Sequence, residues 1–338
     1  MVNVDPSFIR FVLRMVGSRE GREIVRAKGE FERYVAWRMR KVLEESKLDR
    51  ELEVKPFHDF VDQTLARMVC NFMVESGYAV WVGDRLRFTK PAGEAPAVRT
   101  RFVGEFKTVV DRVLASLPEA LLTGLRPYAA SAAGGEVRAA YAKFLDNAGY
   151  NWFREYAVRW ARIPPNSMVL DIGAGIGLSS ITILRVVPGG RVIAVDPHRE
   201  NLEAAKLYAE ILGLADRLET RVGRGEEVDK LVDAADWAVV INVLHWCADP
   251  LVLLQAVGRV APRLLLAQGV SDKRVNLAGA FIAYLLGSGH FPTRRRLYEM
   301  LRLAGWRVER KTEFPAPIIV ASRGGSGGGG CERTQSGS

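Results

Sequence analysis

Nothing limits the fold of this chain more than the stretch Val169-Leu-Asp-Ile-Gly-Ala-Gly-Ile-Gly177. An apolar run that stops at three alternating glycines reads as a buried strand ending in a tight turn. Glycine accepts the positive φ angles such turns need and lets the main chain approach a ligand closely. The next residues, Leu178 to Leu184, start a helix, and its unpaired N–H groups face the same ligand. A second strand then runs Val-Ile-Ala-Val into Asp196, an acid placed to take both hydroxyls of a ribose. Together these two strands describe a nucleoside site.

The spacing narrows the nucleoside. A dinucleotide fingerprint puts its third glycine three residues past the second. Here Gly173, Gly175 and Gly177 alternate, position 178 is Leu, and Asp171 stands two residues before the first glycine. The run resembles motif I of the class I methyltransferases that use S-adenosylmethionine. That resemblance implies S-adenosylmethionine as cofactor, with Asp171 near the amino group of its methionine moiety. It implies that Gly173, Gly175 and Gly177 shape the wall beneath the cofactor, that Asp196 takes the ribose, and that Pro197 fills the apolar position after it. Where the family often has Gly-Asp after its third strand, this chain has Gly223-Arg224-Gly225-Glu226. The adenine contact therefore falls to the main chain around Gly225 or to Glu226. Asn242, at the end of the fourth strand, completes the expected cofactor set.

The chain of 338 residues has length for two domains, and 48% hydrophobic content gives each a workable core. No N-terminal stretch resembles a signal peptide, and the longest apolar run, near Ala278–Leu286, is too short to cross a bilayer. Cys70, Cys247 and Cys331 lie far apart, which suggests neither a disulfide framework nor a metal cluster. A cytoplasmic protein without membrane contact and without a metal site is the expectation. The net charge of +9 invites a nucleic-acid reading, but acids and bases are interleaved along both halves. A mildly basic solvated surface accounts for it better, which leaves nucleic acid the disfavoured partner.

The first half reads as helical. Glu30–Lys47 and Phe57–Glu75 carry apolar residues at helical spacing. Tyr78–Val82 and Arg85–Thr89 flank Gly83-Asp84, a hairpin signal. Helix, helix and two-stranded wing outline a winged-helix module, which in methyltransferases can serve dimer contacts. A DNA-reading role needs a basic helix before the wing, and residues 57–75 offer Arg67 among Asp59, Asp62 and Glu75. Pro91–Pro96 is a short linker, Thr100–Leu117 and Val137–Ala161 are connecting helices, and Ala129–Gly135 is a loose small-residue stretch.

From Ser167 strands and helices alternate, which implies a parallel sheet covered on both faces. Strands are expected at Val169–Ile172, Val192–Val195, Leu218–Val222, Trp237–Val243, Arg263–Gln268, Trp306–Glu313 and Pro317–Ala321. The expected class is thus α/β: a seven-stranded Rossmann-like methyltransferase domain preceded by a mainly helical winged-helix domain. The expected boundaries are 1–98 for the helical/winged-helix domain, 99–162 for a helical connector, 163–323 for the Rossmann-like domain and 324–338 for a disordered tail. As a whole the chain resembles the O-methyltransferases that act on small molecules as homodimers.

Strand four runs into Asn242-Val243-Leu244-His245-Trp246-Cys247. This resembles the stretch of those O-methyltransferases in which a His is the general base, so His245 is the catalytic candidate. A phenol with a pKa of about 10 gives up its proton readily only to a base, and an imidazole near 6.5 suits neutral pH. The same ring can instead simply line the pocket. The base role also wants an acidic partner for the imidazole, yet Val275–Phe291 holds no acid and Asp272 is the near candidate. The proline-flanked motif of amino-methylating enzymes, the Pro-Cys of cytosine C5 enzymes and the acid pattern of magnesium catechol sites are all missing here. Val275–Phe291 stands where a substrate cap sits or is a core helix. Tyr150, Trp152, Phe153 and Tyr156 either roof the pocket or pack the domain junction, and Arg294–Arg296 either draws an anion or opens an exposed helix. The function implied is O-methylation of a hydrophobic small molecule. The rivals are an RNA or protein methyltransferase and a cofactor-sensing DNA-binding regulator.

Overall fold

The computed structural model describes residues 18–55, 59–129, 144–271, 277–289, 291–313 and 316–324. The seven expected strands appear as one sheet: β3 (Met168–Ile172), β4 (Arg191–Asp196), β5 (Leu218–Val222), β6 (Trp237–Ile241), β7 (Arg263–Ala267), β8 (Trp306–Thr312) and β9 (Ile318–Arg323). Their order is β5-β4-β3-β6-β7-β9-β8. The first five are parallel, while β9 inserts antiparallel between β7 and β8. Because β4 lies on one side of β3 and β6 on the other, the chain reverses its direction of travel at β3. In an open α/β sheet that reversal opens a crevice beyond the carboxyl end of the strand.

Period-two alternation assigns the faces. Val169, Val239, Leu265 and Val320 pack on one side against α6 (Ala148–Ala161), α7 (Leu178–Val186) and α8 (Arg199–Ile211). Leu170, Val240, Leu264 and Ile319 pack on the other against α9 (Pro250–Val260) and α11 (Arg294–Leu303). The strand runs are apolar throughout because both faces are covered.

The N-terminal half forms a separate apolar cluster. It contains α1 (Arg19–Glu45), α2 (Leu48–Val54), α3 (Gln63–Glu75), the hairpin β1 (Ala79–Val82) and β2 (Arg85–Phe88), α4 (Arg101–Ala115) and α5 (Leu117–Thr123). The hairpin closes through Gly83 at φ 63°, the positive angle its two-residue turn requires. Helix bounds differ from the sequence expectation where a cap decides them. Ser18 accepts from Gly21 N–H, so α1 starts well before Glu30, and it stops at Glu45 because Lys47 turns to φ 62°. Asp62 accepts from Leu65 N–H and starts α3 at Gln63 rather than at Phe57, which lies outside the described residues. Thr100 and Asn147 cap α4 and α6 likewise, while residues 130–143, including the expected helical start at Val137, lie outside them. The expected disordered tail beyond Gly324 also falls outside.

One segment crosses between the two halves in space. The insertion after β7 forms α10 (Leu277–Leu285), whose Phe281, Ile282 and Leu285 are buried in the N-terminal cluster. Tyr284 donates to Asp62 at 3.0 Å, and Arg126 donates to the carbonyls of Tyr284 and Ser288 at 2.9 Å. These bonds hold α10 between the helical half and the sheet.

A buried carboxylate fixes how α4 leaves the linker. Glu30 accepts from Arg99 N–H, Thr100 N–H and the Thr100 hydroxyl at 2.8–2.9 Å. Burial alone would raise its pKa, but these donors outweigh it and hold Glu30 below the ordinary 4.5. Its stabilisation is thus full above pH 4.5 and is lost as pH falls through the lower folded-state value. Glu30→Gln should lower stability by about 1–2 kcal/mol at pH 7, since charge-assisted bonds become neutral ones. Thermal melts of both proteins should show the gap closing in acid as Glu30 itself becomes neutral; a gap of equal size at both pH values would refute this account.

Candidate functional site

The crevice at the end of β3 is a cavity of about 560 Å³, within the range of small-ligand pockets. Its floor is the glycine turn. Gly173, Gly175 and Gly177 have φ of 65°, 54° and 86°, and a Cβ on Gly173 would meet the Val243 side chain at 2.7 Å. At Gly173 the main chain is bare because nothing larger fits, whereas at Gly175 the space is open and the positive φ favours glycine. Gly177 leaves the cavity wall to serve packing: a Cβ there would strike Ala205 at 2.6 Å, so the glycine lets α7 lie against α8.

Asp196 ends β4 beside the turn and lines the cavity. One carboxylate oxygen accepts from Gly175 N–H at 2.9 Å, and the other accepts from His198 N–H and the Asn201 amide. An ionised carboxylate has about four lone-pair directions, so these protein donors leave capacity for a ligand hydroxyl. Pro197 and His198 continue the same wall.

Asp171 sits one layer back. It does not line the cavity; Ser179, which does, donates its hydroxyl to Asp171 at 2.7 Å, and Ser180 adds a second bond at 2.6 Å. Burial raises the Asp171 pKa to about 6, against the pull of both serines and of Arg154. Its other oxygen, Oδ1, is buried without a hydrogen-bond partner among the described residues. The serines thus tie the end of β3 to the first turn of α7.

Opposite, the wall comes from β6 and the loop before α9. A Cβ on Gly225 would meet Leu253 at 2.5 Å and Ile172 at 2.8 Å, so the main chain presses close there as at Gly173. Glu226, the other candidate for adenine, accepts from Ala248 N–H at 2.8 Å through Oε1 and steadies that loop. Asn242 takes φ 54°, an angle asparagine tolerates, and β6 ends at Ile241, short of the expected Val243. Its side chain accepts from Gly269 N–H at 2.8 Å, and this kink turns Val243 and His245 toward the cavity. Cys247 donates to the Val243 carbonyl, and burial pushes its thiol up to about 12, which keeps it protonated.

His245 lines the far end, buried and stacked on Phe291 with ring centroids 3.9 Å apart. Burial lowers its pKa to about 3, with no opposing acid. The expected acid, Asp272, lies outside the described residues. The neighbour found instead is Gln268, wholly buried, whose Nε2 is 3.3 Å from His245 Nδ1. Sequence reasoning missed Gln268. Its one signal was a polar side chain closing the apolar strand Arg263–Ala267. Of the four aromatics before motif I, Tyr150 and Phe153 line the cavity, whereas Trp152 and Tyr156 stack on each other outside it. Arg154, also missed, lines it too and donates to Asn151 and the Leu145 carbonyl. Arg294–Arg296 opens α11, capped by Thr293, away from the cavity. Among the described residues no three His, Cys, Asp or Glu side chains group to hold a metal, and no helix is long and apolar enough to cross a membrane.

The floor fits a nucleoside with a charged tail: two close main-chain approaches, a carboxylate with spare acceptors, and the α7 N-terminus. Known proteins point the same way. Residues 169–263 match the family described as "Methyltransferase domain". Among solved structures, the CurJ carbon methyltransferase superposes with a TM-score of 0.64 at 16% identity, over 94% of this chain and 96% of its own. An O-methyltransferase family 2 protein from Planctomyces limnophilus, in complex with apigenin, gives 0.58 at 19%, over 88% and 94%. An O-methyltransferase family protein from Burkholderia thailandensis gives 0.56 at 15%, over 86% and 96%. At such identities these structures speak for the fold. No curated protein matches the sequence. Residues 169–263, from β3 to the start of β7, thus match a methyltransferase domain, and along most of its length the chain shares the fold of these methyltransferases.

Proposed function

We propose that this methyltransferase O-methylates a hydrophobic small molecule. The observation that carries the reading is the cavity's mixed lining: the glycine turn and Asp196 from the strand ends, and the apolar Phe144, Tyr150, Ala283 and Phe291 from chain outside the sheet. Phe144 and Ala283 belong to the helical half and to α10, so the apolar part is roofed by chain outside the sheet. A roofed apolar recess suits a compact acceptor better than a nucleic-acid strand or a folded protein. The Planctomyces limnophilus protein, similar in fold along most of its length, has apigenin bound.

In this reading Gly173, Gly175, Pro197, Gly225 and Asn242 surround the cofactor, Asp196 receives its ribose, and Asp171 and Gly177 keep the turn in shape. S-adenosylmethionine supplies a methyl group on a sulfonium, already strongly electrophilic. The protein's task is then mainly to align an acceptor oxygen and exclude water. His245 and Phe291 form the end wall where that oxygen sits. The division we favour is a helical/winged-helix domain to residue 98, a connector to 162 and the catalytic domain to 323. The helical half exposes Val54, Val61, Val82 and Leu125, apolar surface of the kind a homodimer covers. A cytoplasmic setting accords with the free thiols of Cys70 and Cys247.

Asp196→Ala should weaken binding of S-adenosylhomocysteine about 30-fold or more, the value of one or two hydrogen bonds to a charged group. Titration calorimetry reads this directly, and unchanged affinity would remove Asp196 from the site. Incubation with methyl-labelled S-adenosylmethionine and a cell extract, fractionated into small molecules, protein and RNA, should put label in the first fraction. Label in protein or RNA would overturn the acceptor class. On the labelled acceptor, His245→Ala should cut kcat by about 100-fold while leaving cofactor affinity within about twofold. Sedimentation should report a dimer, and a monomer at micromolar concentration would refute the homodimer.

A further inference from the structure

The geometry points to His245 as a fixed hydrogen-bond donor, its proton locked on Nε2 by Gln268, serving an acceptor whose reacting oxygen is already ionised. The substrate class is an acidic hydroxyl: an acidic phenol, an enol of a dicarbonyl or a carboxylic acid. This deepens the acceptor pocket proposed above and rests on it.

The argument starts from the orientation of one amide. Gln268 Oε1 accepts from Leu244 N–H at 3.1 Å, and Nε2 donates to the Gly269 carbonyl at 3.0 Å. Backbone groups have fixed polarity, so the amide can be placed only one way round. The nitrogen facing His245 Nδ1 at 3.3 Å is therefore an NH₂ group with a hydrogen to give and no lone pair to receive. A proton on Nδ1 would set two donors head to head. Nδ1 must hold its lone pair, which leaves the proton of the neutral ring on Nε2.

Nothing nearby reverses this. Phe291 stacks on the ring, Trp246 lies beside it with centroids 5.5 Å apart, and Gly289 N–H bonds the His245 carbonyl at 2.6 Å. No charged group among the described residues acts on the imidazole. Burial disfavours the doubly protonated ring, which would again press a proton against the Gln268 amide. His245 lines the cavity, and Nε2 is its ring nitrogen not engaged by Gln268, so we assign Nε2 as the nitrogen a ligand meets.

A general base at that point needs a lone pair on Nε2, and the ring offers N–H instead. Transfer then proceeds without a proton reaching His245. The acceptor oxygen supplies both electrons of its new bond to the methyl carbon, and the pair of the broken carbon–sulfur bond stays on sulfur. The acceptor loses its negative charge, the sulfonium loses its positive one, and the Nε2 proton remains in place. Such an acceptor must enter deprotonated, which at neutral pH requires an acidic hydroxyl.

The test reads the ring itself. The chain has four histidines, so the full-length protein labelled with ¹⁵N-histidine gives few signals, and His245→Gln identifies the one that matters. Long-range ¹H–¹⁵N spectra at about pH 7 should show His245 with a bare Nδ1 and a protonated Nε2. A protonated Nδ1 with bare Nε2, or an imidazolium, would overturn the proposal. Gln268→Glu puts a carboxylate at Nδ1 and should switch the proton to that nitrogen; Gln268→Leu, which removes the donor altogether, should release the preference. If both variants keep the wild-type pattern, Gln268 is not the positioning residue. On the acceptor from the extract, His245→Gln keeps a donor but no base, and should hold kcat within about tenfold of wild type, against about 100-fold loss in His245→Ala. Equal losses would overturn the donor role. The spectra need no acceptor, so a failed labelling experiment counts against the acceptor class alone and leaves the tautomer result standing.

Discussion

The hydrogen bond from Gly175 N–H to Asp196 joins the ends of β3 and β4, and the rest of the site depends on it. The sheet order makes these strand ends neighbours, and the reversal at β3 opens space beyond them. Gly173 and Ala174 N–H also bond the Val195 carbonyl, so β4 holds the turn at each of these residues. A backbone held this firmly can stay bare of side chains without collapsing. The serine bonds to Asp171 then carry the same order into α7. Committing a buried carboxylate to the shape of a turn makes sense where a shift of about 1 Å would spoil the alignment of a ligand.

The second half of the cavity is built by a different device. A lone Rossmann-like sheet leaves its crevice open to water. Here α10 leaves the sheet after β7, buries its apolar residues among the N-terminal helices and returns through Gly289 toward α11. The helical half is thereby part of the pocket rather than an appendage. Phe144 meets Phe31, Phe102 and Phe106 with ring centroids 5.0–5.5 Å apart and also lines the cavity, so one aromatic cluster is both core and roof.

What the residues disclosed in advance follows the range of the forces involved. The glycine turn and Asp196 were legible because their constraints are local: positive φ, close approach and a strand ending in an acid. Strands and helices were legible from their apolar patterns, and the misplaced bounds fell where a single residue breaks pattern. Asn242 ended β6 early by taking φ 54°, and Asp62 delayed α3 by capping it. The placement of α10 was illegible, because a nine-residue apolar helix can roof a substrate or fill a core, and here it does the second while bordering the first. The partner of His245 was hidden for the same reason. An imidazole base calls for an acid, and the residue beside this one is a neutral amide brought across from β7 by the β6–β7 pairing.

That amide explains why a polar side chain survives in so dry a place. Each polar atom of Gln268 is engaged: Oε1 by Leu244, Nε2 by Gly269 and His245. An apolar residue of equal size would leave Leu244 N–H, the Gly269 carbonyl and Nδ1 unpaired in the core, at about 1–3 kcal/mol for each. The side chain therefore links the segment after β6 to the end of β7 and orients the ring between them. A carboxylate in its place would have made the same span but carried charge into the core beside a buried imidazole. A neutral linker makes the span and orients the ring without adding charge to the core.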